Sequence, residues 1–140
     1  MDPQPDDVPP PRFMPLRTDE ELLARIDQIL DIDARQLPCV MVQFLDKDAR
    51  ELPIVVPIDG IGREPDPRTA TNLCWIISLV LGEHAPGGSA VLTLTRWGSD
   101  EIGPDDRAWR DAIASAAASQ QTNIRLLCLG TRDGIRVLRE

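Results

Sequence analysis

Hydrophobic positions recur along this chain with two different periods, and the points where the period changes divide it into elements. Thr18-Asp19-Glu20-Glu21 reads as a capping box, with Thr18 accepting from a backbone N–H and Glu21 reaching back. Leu22, Leu23, Ile26, Ile29 and Leu30 then recur at helical spacing, predicting a helix with one apolar stripe through residue 31. Cys39-Val40-Met41-Val42-Gln43-Phe44-Leu45 reads as a strand and Asp46-Lys47-Asp48-Ala49-Arg50 as a turn. Leu52-Pro53-Ile54-Val55-Val56 returns as the partner strand. Pro53 and Pro57 cannot donate to a ladder, which predicts a sheet edge.

A loop from Asp59 leads to Asp66-Pro67, which resembles an N-cap followed by proline at the first helical position. The helix expected over residues 68–82 is nearly apolar all round from 73 to 81, so the pattern predicts deep burial, with Trp75 and Ile76 in the core. Ala85-Pro86-Gly87-Gly88 turns the chain into a strand over residues 90–95. Pro104-Asp105-Asp106 opens a further helix running to about residue 120, in which Trp109 packs on the sheet. A strand over 124–129 then turns through Thr131-Arg132-Asp133-Gly134 into a last strand over 135–138. This order predicts one α+β domain over residues 18–140, a small mixed sheet with helices packed against it. Its expected core joins Phe44, Leu73, Ile76, Ile77, Val80, Leu92, Leu94 and Leu126. Residues 1–17, centred on Pro9-Pro10-Pro11, predict a disordered or loosely docked tail, with Phe13 and Leu16 placed to pin its end.

Composition narrows the functional classes. The 140-residue chain carries a net charge of −8, and Lys47 is its sole lysine, so nucleic-acid binding through clustered positive charge is not expected. The three cysteines form no C-x-x-C pair and sit among apolar neighbours, as buried inert thiols do, which fits a reducing cytoplasm. The acidic N-terminus does not read as a signal peptide. The longest apolar run, around residues 73–81, is too short to span a bilayer, so no membrane association is expected and the predicted location is cytoplasmic.

Candidate chemistry is sparse. Asp46 and Asp48 lack the glycine and distal glutamate of a calcium loop. Gly60-Ile61-Gly62 lacks the third glycine of a phosphate cradle. His84, the sole histidine, suits a helix C-terminus better than a ligand role. Trp97, between Arg96 and Gly98 in a polar loop, reads either as an interface anchor or as a lid folded over a helix. Asp100, Glu101, Asp105, Asp106 and Asp111 concentrate acid around the same loop. Asp106 has a plain reading at a helix start, favouring the dipole and paired with Arg107 or Arg110.

Three local patterns together resemble the RadC-like branch of the JAB/MPN (JAMM) family. Val42-Gln43-Phe44-Leu45-Asp46 looks like that branch's first core strand entering a hairpin. Ala90-Val91-Leu92-Thr93-Leu94-Thr95 looks like the strand that ends in H-x-H. Gly103-Pro104-Asp105-Asp106, followed by Ala112-Ile113, is similar to its S-P-x-D helix start. The resemblance spans roughly residues 38–138 and implies a JAB/MPN-like fold with cytidine-deaminase-like layering. The family's chemistry needs a zinc held by two imidazoles and a carboxylate. Here the imidazole positions are Thr93 and Thr95, the serine position is Gly103, the base falls near Val55, and Asp106 alone matches.

These readings lead to a non-enzymatic, metal-free domain without cofactor, binding a protein partner or itself as a homo-oligomer. Arg96, Trp97, Asp100 and Glu101 are its interface candidates, and Asp106 is the residual family position. The alternative is a carboxylate-based hydrolase or small-ligand domain using the loop around Asp100 and Asp106. A further ligand-binding candidate is the loop over residues 60–67.

Overall fold

The computed structural model describes residues 15–138, and the elements below are those of this segment. In chain order they are α1 (Asp19–Ile29), β1 (Cys39–Leu45), β2 (Glu51–Asp59), α2 (Pro67–His84), β3 (Ser89–Thr95), α3 (Pro104–Gln120), β4 (Ile124–Thr131) and β5 (Gly134–Val137). The strands form one mixed sheet in the order β2-β1-β3-β4-β5. β1 runs antiparallel to β2 and β3, β3 parallel to β4, and β4 antiparallel to β5. The fold is therefore α+β, as the element order predicts.

Strand parity assigns the two faces. Val40, Val42 and Phe44 of β1 and Ala90, Leu92 and Leu94 of β3 share a core with Leu73 and Ile77 of α2 and Trp109 and Ile113 of α3. The intervening Met41, Leu45 and Val91 join Leu126 and Cys128 of β4 beneath Leu22 and Ile26 of α1. Both faces of the central strands are thus covered, and β3 is buried along nearly its whole length. Leu126, expected beside Leu92, belongs instead to the α1 face, because its register on β4 points it the other way.

Local chemistry explains the boundaries. The capping box at Thr18 forms as predicted, with Thr18 Oγ1 accepting from Glu21 N–H at 3.1 Å and Glu21 Oε1 accepting from Thr18 N–H at 3.0 Å. α1 stops at Ile29, two residues short of the expected end, and Arg35 closes it. The Arg35 guanidinium donates to the Leu30 carbonyl at 2.8 Å and to the Asp27 carboxylate at 2.8 Å. β2 is an edge strand, as Pro53 and Pro57 require. Arg25 of α1 donates to Glu51 of β2 at 3.1 Å, and Gln43 of β1 donates to the same carboxylate at 3.0 Å, anchoring α1 across the sheet.

The expectation for α2 needs correction. Ala70, Leu73, Cys74, Ile77 and Leu81 are buried, but the opposite side of the helix is open. Trp75 is 58% exposed, Leu79 48% and Ile76 36%, so Trp75 and Ile76 are not core residues. A helix on one face of a sheet can bury only the stripe it turns toward that sheet, however apolar the rest. Trp109 does pack on the sheet, 2% exposed. Cys74 and Cys128 are buried and Cys39 is half-buried. Burial pushes the Cys128 thiol up to about 12.

The tail expectation mostly falls on residues 1–14, Phe13 included, which lie outside the described residues. Its end is ordered: Leu16 is buried and its N–H donates to the Ala49 carbonyl at 2.8 Å. Among the described residues no helix is long and apolar enough to cross a membrane.

Neighbouring positions on α2 should respond differently to truncation. Ile77→Ala is expected to destabilise by about 2–4 kcal/mol through lost burial and a residual cavity. Ile76→Ala is expected to cost under about 1 kcal/mol, as for a side chain with solvent on one side. Urea titration of both variants measures the difference, and equal losses would contradict this orientation of α2.

Candidate functional site

β3, the first turn of α3 and the loop before α2 converge on a cleft of about 430 Å³. Pro38, Ile61, Leu94 and Trp109 supply apolar walls, Trp97 stands at the rim, and Asp105 and Asp106 line the helix side. Trp109 also fastens the wall opposite. Its indole N–H is shared between the carbonyls of Arg63 at 2.9 Å and Gly62 at 3.2 Å, tying the loop over residues 60–66 to α3.

The loop joining β3 to α3 is built around one guanidinium. Arg96 Nε donates to Asp106 Oδ1 at 2.8 Å and Nη2 to Oδ2 at 2.7 Å, a bidentate pair. Nη1 donates to the carbonyls of Trp97 at 3.0 Å and Ser99 at 2.8 Å, and Nη2 to that of Glu101 at 2.9 Å. All five guanidinium N–H groups therefore have an acceptor. Lysine, with three donors on a point charge, cannot reproduce this arrangement. The wrap also demands glycine at position 98: φ is +108°, and a Cβ would stand 3.1 Å from Arg96 Nη1.

Asp106 is 2% exposed and sits in the first turn of α3, where its Oδ2 also accepts from Gly103 N–H at 2.9 Å. This is the half of a capping box that the acid contributes. Burial pushes the Asp106 carboxyl up, but the hydrogen bonds from Arg96 and Gly103 and the charge of Arg96 outweigh it and hold the carboxyl below the usual carboxylate range. The sequence pairing of Asp106 with Arg107 or Arg110 is therefore replaced by Arg96. Arg110 reaches Asp111 instead, at 3.0 Å.

The remaining candidates are arranged around this hub. Trp97 is 68% exposed, which excludes the reading of a lid folded over a helix. The Asp100 backbone is tied to the last hairpin: its N–H donates to Asp133 at 3.1 Å and its carbonyl accepts from Arg136 at 3.1 Å. Glu101 is exposed, with its carbonyl turned inward to Arg96. Arg96 itself has every donor engaged within the loop and its side chain 27% exposed, so it acts on the surface by shaping it. This hub was legible only in part. The Arg, Gly and Asp are plain in the sequence, but nothing in their spacing says that one guanidinium closes the loop.

The three positions that the JAB/MPN resemblance assigns to a metal do not fit a zinc site. Thr93 Oγ1 is fully buried, with no hydrogen-bond partner among the described residues. Thr95 Oγ1 donates to the Leu37 carbonyl at 2.6 Å. The methyl groups of both threonines close over Gly130, where a Cβ would meet each at 3.3 Å. Both Asp106 oxygens accept from Arg96, whose guanidinium stands where a cation would bind. No group of three or more His, Cys, Asp or Glu side chains that could hold a metal gathers among the described residues.

Two carboxylates are buried among the described residues, Asp106 and Glu51. They lie at opposite ends of β1, since Thr95 aligns with Cys39 and Glu51 with Leu45. At ~3.3 Å per residue that is a separation of about 20 Å, too far for shared acid–base work. Comparison with protein-family models, curated proteins and solved structures finds no match to this chain.

The Asp106 pair sets a pH dependence. Because the folded-state pKa is depressed, its stabilisation is present above the ordinary carboxylate pKa of about 4 and is lost as pH falls through the folded value. Asp106→Asn is expected to cost about 2–4 kcal/mol at neutral pH, since it leaves Arg96 without its anion. The gap between variant and parent should narrow as pH falls below about 4. Urea titrations at stepped pH measure it, and a gap of constant size would contradict a charge-based role.

Proposed function

We propose that this protein is a non-enzymatic, metal-free relative of the JAB/MPN fold that acts in protein interaction, docking a partner at the cleft beside Trp97. The likeness to that fold is supported by the order helix, hairpin, helix, strand, helix, hairpin, by helices on both faces of the sheet, and by Asp106 at the start of the helix that follows Thr93 and Thr95.

One observation carries the interaction reading: Trp97 is presented to solvent by a loop whose guanidinium core has no donor left unpaired. A large aromatic on a locked loop loses little conformational entropy when it binds, which is the property of an interface anchor. Leu37, 63% exposed, extends the apolar rim next to Pro38. Asp100, Glu101 and Asp105 surround it with negative charge. The complementary partner inserts an apolar side chain between Trp97 and Trp109 and carries Lys or Arg beside it. The hydrolase alternative at this loop has less support, because Arg96 occupies the one buried carboxylate there.

Selection of a displayed peptide library on the immobilised protein tests this. Enriched sequences should pair an apolar anchor with basic residues. Trp97→Ala should weaken their binding by about 2 kcal/mol or more while leaving the melting midpoint in place. Binding that survives Trp97→Ala would refute the cleft as the docking surface. Elemental analysis tests the other half of the proposal: near-stoichiometric zinc that disappears in Asp106→Ala would overturn the metal-free reading.

A further inference from the structure

The exposed side of α2 is independent of the cleft and has its own pattern. Its outward ridge runs Arg68, Asn72, Trp75, Leu79 and Glu83, with Ile76 beside it, apolar at the centre and oppositely charged at the two ends. A contiguous apolar centre of this kind on a surface helix marks an interaction site. The end charges run against the helix dipole. Arg68 stands in the first turn and Glu83 in the last, whereas α1 and α3 both carry acids in their first turns. Arg68 forms no ion pair among the described residues, and Glu83 stands 3.7 Å from His84, an exposed neighbour. The edge strand β2, flanking α2, is blocked for strand pairing by Pro53 and Pro57.

We propose that α2 self-associates with α2 of a second copy as an antiparallel pair, with the two-fold axis between Trp75 and Ile76. In that register Trp75 of one copy faces Ile76 of the other, Asn72 faces Leu79, and Arg68 faces Glu83, each contact occurring twice as two-fold symmetry requires. The antiparallel sense places each helix N-terminus beside the other's C-terminus, so the charges that oppose the dipole within one copy are offset across the pair. Holding both Arg68–Glu83 contacts over a ridge of about 22 Å, at ~1.5 Å per residue, requires the shallow crossing near 20°. Each chain carries a charge of −8, a long-range repulsion that physiological salt screens.

The experiment is sedimentation equilibrium of the full chain at physiological salt over a concentration series, with charge-reversal variants. The parent should show a monomer–dimer equilibrium. Trp75→Ala should weaken it roughly thirtyfold or more, the equivalent of losing a central aromatic anchor. Arg68→Glu and Glu83→Arg should each weaken it roughly tenfold, because two attractions become two repulsions. An equimolar mixture of those two variants should restore association, since every facing pair in the mixed dimer is again opposite in sign. Melting curves establish that each variant is folded, and Trp97→Ala should leave the equilibrium unchanged, which separates this surface from the cleft. A monomeric parent at every concentration, or a dimer indifferent to the charge variants and to their mixing, overturns the proposal. A full chain that stays monomeric and dimerises only after removal of residues 1–14 also overturns it, assigning the ridge to that segment.

Discussion

The bidentate pair between Arg96 and Asp106 joins the C-terminal end of the central strand to the start of the helix that follows it. Much of the surface geometry depends on that junction. With the carboxylate in place, the guanidinium's three remaining N–H groups fold the intervening backbone around themselves, and Trp97 is turned outward as a consequence. The same carboxylate caps α3 through Gly103, so helix entry and loop shape are not separable. A pair of this kind is more a device for specifying one geometry than a source of large net stability, because desolvating Asp106 offsets part of the attraction.

Around that junction the molecule has an uneven distribution of cover. The sheet is closed on both faces, by α2 and α3 on one and α1 on the other. The α1 side is fastened by polar contacts as well as packing, through Arg25, Glu51 and Gln43 at one end and Arg35 at the other. The α2 side relies on apolar contact, with a hydroxyl pair between Ser78 and Thr122 at 2.8 Å joining α2 to α3. Apolar side chains in excess of what the sheet can cover remain on the outside of α2 and at the rim by Trp97 and Leu37. These are the places where the domain has surface left to offer.

Much of the fold was legible along the chain because its signals are local. The capping box at Thr18, the proline-marked edge at Pro53 and Pro57, the N-cap at Asp66 and the hairpin at Gly134 each act within a few residues, and each appears in the structure. Strand β3, expected over residues 90–95, forms over Ser89–Thr95 and is buried on both faces, its threonines included. The candidate site was legible only as ingredients. The sequence offers Asp106 the nearby Arg107 and Arg110 of its own helix, whereas its partner is Arg96, which a folded loop brings back to it. Helical spacing does not describe such a loop, and no sequence period encodes its closure.

What the sequence determined by itself was the kind and order of the elements, together with the threonines at positions 93 and 95. Only the tertiary structure decided which side of each element meets the sheet. An apolar residue records a tendency to leave water, but whether it does so depends on the area of the opposing surface. α2 has more apolar circumference than one sheet face can cover, so Ile77 is enclosed while Trp75, Ile76 and Leu79 stay partly or largely in solvent. Trp109 and Trp97 show the same division at the cleft. Trp109 lies on a helix stripe turned inward and Trp97 on a loop turned outward by the guanidinium it follows.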